Sequence, residues 1–294
     1  MEPESKWIDI GFKMHLRLWP AAASDRAKTP FLLVHGLASN ARTWDGVAAE
    51  LASAGHPVAA IDQRGHGLSD KLPIEAGYDF VTVTADLIKL LDSLDWEAPI
   101  VAGQSWGGNV VLSLGAFHPG RAAGLVFVDG GFLAAKRRAP IWEEAYEIFK
   151  PPTFAGVTRA DMRRRMREYQ PEWSDAGIEA TLANFEDLPD GTVRPWLSLE
   201  RHMTIFRALW EQDPTELYHR VQEPVLICPA GNHNMGAKRE LVAAATEGLA
   251  HAEAHWFPET AHDIHVHRPV ELAQLMLAWA GRHNLLEQGD KKIR

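Results

Sequence analysis

The strongest constraint on the fold is a regular alternation of short apolar runs with segments of helical periodicity. Four nearly continuous runs of aliphatic and β-branched residues occupy Phe31–Val34, Pro57–Ile61, Pro99–Ala102 and Leu125–Val128. Such runs are typical of parallel strands that are buried on both faces. Segments with a helical pattern separate them, at residues 44–54, 83–94 and 106–118. This alternation predicts βαβ units and therefore an α/β fold built on a parallel sheet.

The pattern changes at both ends of this region. Alternating apolar and polar residues at Trp7–Ile10 and Met14–Trp19 predict an antiparallel hairpin around Gly11. After Gly131 the strand–helix rhythm stops, and four helices separated by proline are predicted at residues 141–150, 159–169, 175–185 and 196–210. The rhythm resumes with a strand at 224–229, a helix at 238–249, a strand at 252–257 and a helix at 269–282. We therefore predict one α/β core, residues 1–131 and 214–294, with a helical insertion at residues 132–213.

Composition excludes several classes of protein. The hydrophobic fraction of 46% and the charged fraction of 23% are ordinary for a folded chain, which excludes global disorder. A net charge of −9 argues against a nucleic-acid partner. No apolar run approaches the roughly 18 residues that cross a membrane, and the polar first residues contain no secretory signal. With a single cysteine, Cys228, an internal disulfide is excluded. These features predict a cytoplasmic protein without a membrane or nucleic-acid partner.

One short motif indicates nucleophilic chemistry. Gly103-Gln-Ser-Trp-Gly107 has the form G-x-S-x-G and lies between a predicted strand and a predicted helix. This context is that of a sharp strand-to-helix turn, which lifts the serine above the sheet. A serine hydroxyl attacks only when a base removes its proton, and the base needs an orienting partner. Ser105 is therefore the predicted nucleophile, and His262, in the loop before the last helix, is the predicted base.

The histidines around position 262 also allow a second interpretation. His262, His265 and His267 have a spacing that could hold a metal ion. No cluster of Cys, His and carboxylate residues elsewhere in the sequence completes such a site. We therefore predict no metal and no organic cofactor, and we expect His265 and His267 to pack or to begin a helix.

Four sequence blocks resemble the cap-bearing serine hydrolases of the α/β-hydrolase superfamily. They are Val34-His-Gly-Leu37, Asp62-Gln-Arg-Gly-His-Gly-Leu-Ser69, Gly103-Gln-Ser-Trp-Gly-Gly108, and Ala261-His262 with Pro269 behind it. The resemblance covers nearly the whole chain. It implies a mostly parallel eight-stranded sheet with flanking helices and an inserted helical cap. It also implies that the backbone N–H groups of Leu37 and Trp106 form an oxyanion hole, in which each donor is worth about 3 kcal/mol.

The triad acid is the point at which the chain departs from that pattern. Relatives usually carry an aspartate past the seventh strand of their sheet, where this chain has Gly231-Asn-His-Asn234. A neutral amide in that position costs about 10⁴ in rate in a known triad. Some relatives carry the acid after the sixth strand instead, about 5 Å away, where this chain has Asp129. Asp129 is therefore the predicted acid and Asn234 the alternative position, although an aspartate before glycine also caps turns.

A serine at the turn favours acyl chemistry. The neighbouring Gln104 and Trp106 resemble those of haloalkane dehalogenases and epoxide hydrolases, but those enzymes attack with an aspartate. Serine suits attack on an acyl carbon beside an oxyanion hole, so a small-molecule acyl substrate is expected and a carboxylesterase is preferred. A proline-iminopeptidase-like amide hydrolase, with Glu143, Glu144 and Glu147 holding an amino terminus, and a carbon–carbon bond hydrolase remain open. A non-catalytic ligand-binding protein is favoured only by Asn234.

The insertion supplies candidate substrate contacts. The chain contains 11 tryptophans, of which Trp142 and Trp210 lie in the insertion and Trp44 lies near the predicted oxyanion loop. These three are the predicted substrate-binding residues, although burial in the core accounts for most large apolar side chains of this kind. The arginines at 159, 163–165 and 167 could hold a substrate carboxylate. Their helical spacing beside Asp161 and Glu168 favours a solvated face instead.

Overall fold

The computed structural model describes residues 2–20, 28–231 and 235–287. Its strands are β1 (Glu4–Asp9), β2 (Lys13–Trp19), β3 (Phe31–Val34), β4 (Val58–Ile61), β5 (Ile100–Gln104), β6 (Gly124–Val128), β7 (Phe185–Asp187), β8 (Val193–Pro195), β9 (Val225–Cys228), β10 (Ala230–Gly231), β11 (Ala252–Ala254) and β12 (Phe257–Pro258). Its α-helices are α1 (Asp45–Ser53), α2 (Phe80–Ser93), α3 (Trp106–Phe117), α4 (Ala135–Arg138), α5 (Trp142–Phe149), α6 (Arg159–Tyr169), α7 (Asp175–Leu182), α8 (Leu199–Glu211), α9 (Thr215–Tyr218), α10 (Met235–Gly248), α11 (Ile264–His267) and α12 (Pro269–Arg282). Short 3-10 helices occupy Ala41–Trp44 and Ile74–Ala76.

Eight strands form one sheet in the order β1-β2-β4-β3-β5-β6-β9-β11. β1 pairs antiparallel with β2, and β2 pairs antiparallel with β4. Every other neighbouring pair is parallel. The predicted α/β class and the mostly parallel eight-stranded sheet are confirmed, and so is the hairpin, in which Gly11 has a φ of 99°.

Both faces of the central strands are buried, which explains their continuous apolar sequences. Every residue of β3, β4, β5, β6 and β9 is buried. Along β3, Leu32 and Val34 join the hydrophobic cluster on one face, and Phe31 and Leu33 join the cluster on the other. Successive side chains of a strand point to opposite faces, so a strand covered by helices on both sides needs an apolar residue at every position.

The predicted strand at 252–257 is divided in the structure. β11 ends at Ala254 and joins the edge of the large sheet, whereas β12 pairs with β10 in a separate two-stranded sheet. The interruption turns the chain away from the sheet edge toward the loop that contains His262.

The segment between β6 and α9 contains α4 to α8 and one antiparallel pair, β7–β8. Two predicted helices have wrong boundaries: the helix predicted at 175–185 ends at Leu182, and the helix predicted at 196–210 begins at Leu199. Ser198 caps the latter helix, because its side chain accepts from the backbone N–H of Arg201. The division of the chain at residues 131/132 and 213/214 stays a prediction.

Parts of this segment have a small hydrophobic cluster of their own. It contains residues of α6, α7, β7 and β8, and one residue of α11, Val266, also belongs to it. Other residues of the segment, including Phe206 and Trp210, belong to the larger core. Across the described ranges, no helix is both long and apolar enough to cross a membrane.

Candidate active site

The turn from β5 into α3 places Ser105 in a strained backbone conformation. Its φ is 55° and its ψ is −123°, a region that costs a non-glycine residue about 1–3 kcal/mol. The turn is tight enough to require its glycines: a Cβ on Gly103 would lie 2.2 Å from the carbonyl oxygen of Gly107, and a Cβ on Gly107 would lie 2.5 Å from that of His35. Ser105 is partly exposed, whereas Gln104 and Trp106 on either side are buried.

Asp129 follows β6, the strand that pairs with β5. The backbone N–H of Ser105 donates to the carbonyl oxygen of Val128 at 2.9 Å, so the turn and the end of β6 are held together. A Cβ on Gly130 would lie 2.2 Å from the carbonyl oxygen of Ser105. Asn109 in α3 also accepts from the N–H of Gly131 at 2.9 Å. Together these contacts fix Asp129 directly behind the serine turn.

The predicted base and acid are in contact. Nδ1 of His262 lies 2.6 Å from Oδ2 of Asp129, and Oδ1 of Asp129 accepts from the backbone N–H of Ala230 at 3.0 Å. The carboxylate is 3% exposed, whereas the His262 side chain is 49% exposed. Oγ of Ser105 makes no hydrogen bond to any residue that the structure describes. Hydrogen bonds between a nucleophile and its base are often long before substrate binds.

Opposing effects set the charges of this pair. Burial raises the pKa of Asp129, but the hydrogen bond to His262 and the charges of His262 and Lys238 outweigh it, so the net pKa is below the usual value. Burial lowers the pKa of His262, whereas the hydrogen bond to Asp129 and the charges of Asp263 and Asp129 raise it, and the net shift is upward. The arrangement therefore favours an ionised carboxylate that stabilises a protonated imidazole.

A lysine that the sequence analysis did not predict joins the pair. Nζ of Lys238, in α10, lies 2.9 Å from Oδ1 and 3.0 Å from Oδ2 of Asp129. The same ammonium donates to the carbonyl oxygen of Ala230 at 3.1 Å. The only sequence signal for this contact is a lysine in the helix that follows β9, which is too common to single out. Asn234, the alternative acid position, lies outside the described residues.

Two backbone donors flank Ser105. Neither the N–H of Leu37 nor that of Trp106 donates to another residue in the described part of the chain. Trp106 is the first residue of α3, where helix N–H groups have no partner within the helix and the helix dipole is positive. The space beside Gly36 is tight, because a Cβ there would lie 2.4 Å from Oε1 of Gln104 and 3.1 Å from Cβ of Ser105. The predicted donors are therefore available to an oxyanion at the serine.

Two buried histidines shape the segment around Leu37. Nδ1 of His35 lies 2.7 Å from the carbonyl oxygen of Gly36, and its Nε2 accepts from the N–H of Gln63 at 3.1 Å. Nε2 of His66 accepts from the N–H of Ala38 at 3.3 Å, and its ring stacks on Trp106 at 5.6 Å. Burial lowers the pKa of both imidazoles, which keeps them neutral and able to accept.

The three predicted substrate-binding tryptophans are packed among other rings. Trp44 is fully buried and lies 4.6 Å from the ring of His265. Trp142 packs on Trp210 at 5.5 Å, and Nε1 of Trp210 donates to the carbonyl oxygen of Ala139. None of the three lines the large cavity described below. Their contact with substrate stays a prediction.

The remaining histidines of the loop do not converge. His265 is buried, and Nε2 of His267 lies 3.1 Å from a carboxylate oxygen of Glu172. Within the described residues, no group of three or more His, Cys, Asp or Glu side chains is arranged to hold a metal ion.

A cavity of about 870 Å³ lies between the segment around Leu37 and the helical insertion. Ala38 and His66 form its wall beside the predicted oxyanion donors, and residues of 151–154, 184–186 and 194–202 form the opposite wall. Its charged lining residues are Lys71, Glu186, Arg194 and Arg201. Sequence reasoning missed all four, because it considered the arginines of α6 instead.

Four of the five arginines of α6 form ion pairs with carboxylates. Arg159 pairs with Asp187, Arg163 with Glu179, Arg164 with Asp161, and Arg167 with Asp175. The interpretation of this helix as a solvated, charged face is confirmed.

Comparison with known proteins identifies a family whose sequence model matches this chain. A model of the alpha/beta hydrolase family matches residues 31–275. Over 101 residues the chain is 36% identical to epoxide hydrolase B of Mycobacterium tuberculosis, an alignment that covers 34% of this chain and 28% of that protein. The chain thus matches only about a third of the length of the curated relatives most similar to it.

Solved structures resemble this chain over nearly its whole length. E-2-(acetamidomethylene)succinate hydrolase superposes with a TM-score of 0.78 at 21% identity, covering 95% of this chain and 99% of that one. A thioesterase domain from the curacin biosynthetic pathway superposes with a TM-score of 0.77 at 20% identity, covering 94% and 100%. At these identities the likeness establishes the shared fold.

Proposed function

Because the chain belongs to the alpha/beta hydrolase family, we propose that it is a serine hydrolase that cleaves a carboxylic ester through an acyl-enzyme intermediate. Ser105 is the nucleophile, and His262 is the general base. Asp129 orients the imidazole and balances its positive charge. The observation that carries this proposal is the 2.6 Å contact between Nδ1 of His262 and Oδ2 of Asp129 behind the strained serine turn.

The reaction follows from these positions. Oγ of Ser105 attacks the acyl carbon while Nε2 of His262 takes its proton, and the N–H groups of Leu37 and Trp106 hold the resulting oxyanion. The intermediate collapses when His262 returns the proton to the leaving alcohol. Water then attacks the acyl-enzyme by the same steps and releases the acid. The depressed pKa of Asp129 supports this scheme, because an ionised carboxylate stabilises the imidazolium in both halves of the reaction.

The competing functions have weaker support. Opening an epoxide through an ester intermediate needs a carboxylate nucleophile, and this chain has a serine at the turn. An aminopeptidase needs an acidic residue to hold the amino terminus, but Glu143, Glu144 and Glu147 do not line the cavity. Glu186 does line it, and its carboxylate pairs with Arg194. The available N–H groups and the His262–Asp129 contact favour catalysis over simple ligand binding. The single, unpaired Cys228 supports a location in a reducing compartment such as the cytoplasm. The cavity of about 870 Å³ supports a small acyl compound as the substrate.

A fluorophosphonate probe tests the proposal, because it reacts only with an activated serine. We expect stoichiometric labelling of the wild-type protein, with the adduct located on Ser105 by peptide mass spectrometry and absent from Ser105→Ala. The same preparation should hydrolyse p-nitrophenyl esters. A Ser5→Ala control should label like the wild type. Labelling at a different serine, or none under conditions that label a known esterase, would overturn the proposal.

A further inference from the structure

We propose that the cavity beside the oxyanion segment binds an anionic group of the substrate through Lys71 and Arg201. The inference rests on the proposed function and narrows it: the ester that is cleaved carries a carboxylate or phosphate at the end away from the scissile bond.

Lys71 and Arg201 are both held by oxygen atoms that carry no formal charge. Nζ of Lys71 donates to the backbone carbonyl oxygens of His66 at 3.2 Å, Gly67 at 2.6 Å and Ser69 at 2.5 Å. Arg201 donates to the carbonyl oxygens of Lys71 at 2.9 Å and Leu72 at 2.8 Å, and to the hydroxyls of Tyr78 and Ser198. In the part of the chain that is described, no carboxylate accepts a hydrogen bond from either side chain.

A third cation in the same cavity provides the contrast. Nε of Arg194 donates to Oε1 of Glu186 at 2.6 Å, so these two charges offset each other. Burial lowers the pKa of His202 to about 4 and holds that of His66 well below its ordinary value, so both are neutral at pH 7. Three cations and one carboxylate give the lining a net charge of +2 in a chain whose overall net charge is −9. The lining is therefore positive in a chain that is negative overall, and the carboxylates of Asp62 and Asp70 behind it act on the charge of Lys71.

Holding two cations together in the cavity wall has an electrostatic cost. Burial lowers the pKa of Lys71 and the neighbouring charge of Arg201 lowers it too, against the opposing effects of Asp62, Asp70 and Glu186, and the net pKa is about 8. A bound anion offsets both effects, because it stabilises the two cations at once. Arg201 can supply the directed contact: of its five N–H groups, one on Nη1 and one on Nη2 remain after the hydrogen bonds above.

The cavity adjoins the segment that carries the proposed oxyanion donors. Ala38 follows the oxyanion donor Leu37, and the ring of His66 stacks on Trp106 at 5.6 Å. Ser105, Trp106 and His262 do not line the cavity themselves, but Ala38 and His66, which adjoin Leu37 and Trp106, form its near wall. We therefore place the far end of an acyl group attached to Ser105 in this cavity. Its volume of about 870 Å³ suits a small molecule, and aromatic side chains such as Trp196 and Phe154 line the space that a carbon chain would cross.

The experiment compares two esters with equal acyl chains, mono-p-nitrophenyl adipate and p-nitrophenyl hexanoate, which differ by one terminal carboxylate. We expect kcat/KM for the adipate to exceed that for the hexanoate at least about 10-fold, as for a charge-assisted contact. A third ester with a terminal phosphonate on the same chain distinguishes carboxylate from phosphate recognition. Lys71→Met should reduce the adipate-to-hexanoate ratio about 5- to 10-fold, and Lys71→Arg should restore most of it.

A matched control and a binding measurement keep the test decisive. Lys6→Met removes the same kind of charge from exposed β1 and should leave the ratio unchanged. In Ser105→Ala, calorimetry should detect binding of adipate, weaker binding in Ser105→Ala/Lys71→Met, and none of hexanamide. If the wild type hydrolyses no ester, the proposed function fails, and adipate binding alone decides the inference. A ratio near one in the wild type, or no adipate binding, would overturn the anion site.

Discussion

The molecule contains two sets of serine, histidine and aspartate side chains that follow one another in space, called here the first chain and the second chain. They differ in their surroundings. In the first, Oγ of Ser5 lies 2.7 Å from Nε2 of His15, whose Nδ1 lies 2.8 Å from Oδ2 of Asp62. In the second, His262 contacts Asp129 at 2.6 Å and Oγ of Ser105 has no partner among the described residues. Judged by hydrogen bonds alone, the first chain is the more complete triad.

Its surroundings show that the first chain is structural. The His15 and Asp62 side chains are 3% and 4% exposed, so the imidazole cannot meet a substrate. The Asp62 carboxylate also accepts from the backbone N–H groups of Ala41 and Leu68, and thus ties β2 to two loops. Ser5 lies on an ordinary extended strand with no helix N-terminus behind it. A nucleophile needs an exposed base and oxyanion donors, and only Ser105 has both.

Substitution of the two serines should give the largest difference in catalytic activity. Ser105→Ala should reduce kcat for an activated ester by at least about 10⁴-fold, as the loss of a triad nucleophile does elsewhere. Ser5→Ala should change kcat less than about 2-fold. Both proteins should keep the wild-type circular dichroism spectrum, so that lost activity is not lost folding. Equal losses in the two variants would break the distinction drawn here.

Substitutions of the two aspartates should affect different properties: catalysis for Asp129 and stability for Asp62. Asp129→Asn should reduce kcat about 10⁴-fold with little change in melting temperature, because an amide no longer stabilises the imidazolium. Asp62→Asn should instead lower the free energy of unfolding by about 2–3 kcal/mol, since the amide keeps only one acceptor oxygen and its NH2 group cannot accept the hydrogen bonds now made to the other oxygen. Steady-state kinetics and urea denaturation on the same samples separate the two effects. A destabilised but active Asp129→Asn would transfer the role of acid elsewhere.

Low pH should weaken the contribution of Asp62 to stability over a defined pH range. Burial raises the pKa of Asp62, but the hydrogen bond and charge of His15 outweigh it, and the net pKa falls to about 2. A carboxyl whose pKa is lower folded than unfolded stabilises the protein above the unfolded pKa near 4, and this contribution is lost as pH falls to about 2. The stabilising contribution of the Asp62 carboxylate amounts to about 2 kcal/mol. Asp62→Asn should therefore flatten the dependence of unfolding free energy on pH between 4 and 2, and an unchanged slope would contradict the assignment.

The two chains also show what sequence could and could not predict. The serine motif can be recognised in the sequence, because a glycine-flanked serine between a strand and a helix has one geometric interpretation. Asp129 could be predicted from the resemblance, because some relatives carry the acid after the corresponding strand, and the structure brings its carboxylate to His262. Nothing local links Ser5 to Asp62, which are 57 positions apart and meet only through the pairing of β1 with β2 and β2 with β4.

The parts that were missed depend on long-range packing or short elements. β7 and β8 have three residues each, too few for a period to be read. Lys71 and Arg201 meet only because the insertion folds back over the loop after β4, so no spacing in the sequence reveals their common cavity. Lys238 reaches Asp129 across 109 positions, through the packing of α10 beside the end of β6.

Lys238 is the sharpest difference between the two aspartates, because a lysine contacts both oxygens of Asp129 and none contacts Asp62 among the described residues. The groups that act on the charge of His262 are Asp129, Asp263, Lys238 and His265. Of the first three, the carboxylates raise the pKa of His262 and Lys238 lowers it. The lysine thereby limits how basic the imidazole becomes and keeps more of it unprotonated near neutral pH.

Lys238→Met should therefore shift the acidic limb of the kcat/KM profile to higher pH, by up to about one unit, since the protonated imidazole cannot accept the proton of Ser105. Lys238→Arg keeps the charge and should leave the limb near its wild-type position. A purely structural lysine would lower kcat at all pH values without moving the limb, and a shift to lower pH would reverse the sign argued here. Because Met removes the charge while keeping an unbranched chain of similar length, the position of the limb reports the electrostatic effect of the lysine rather than its packing.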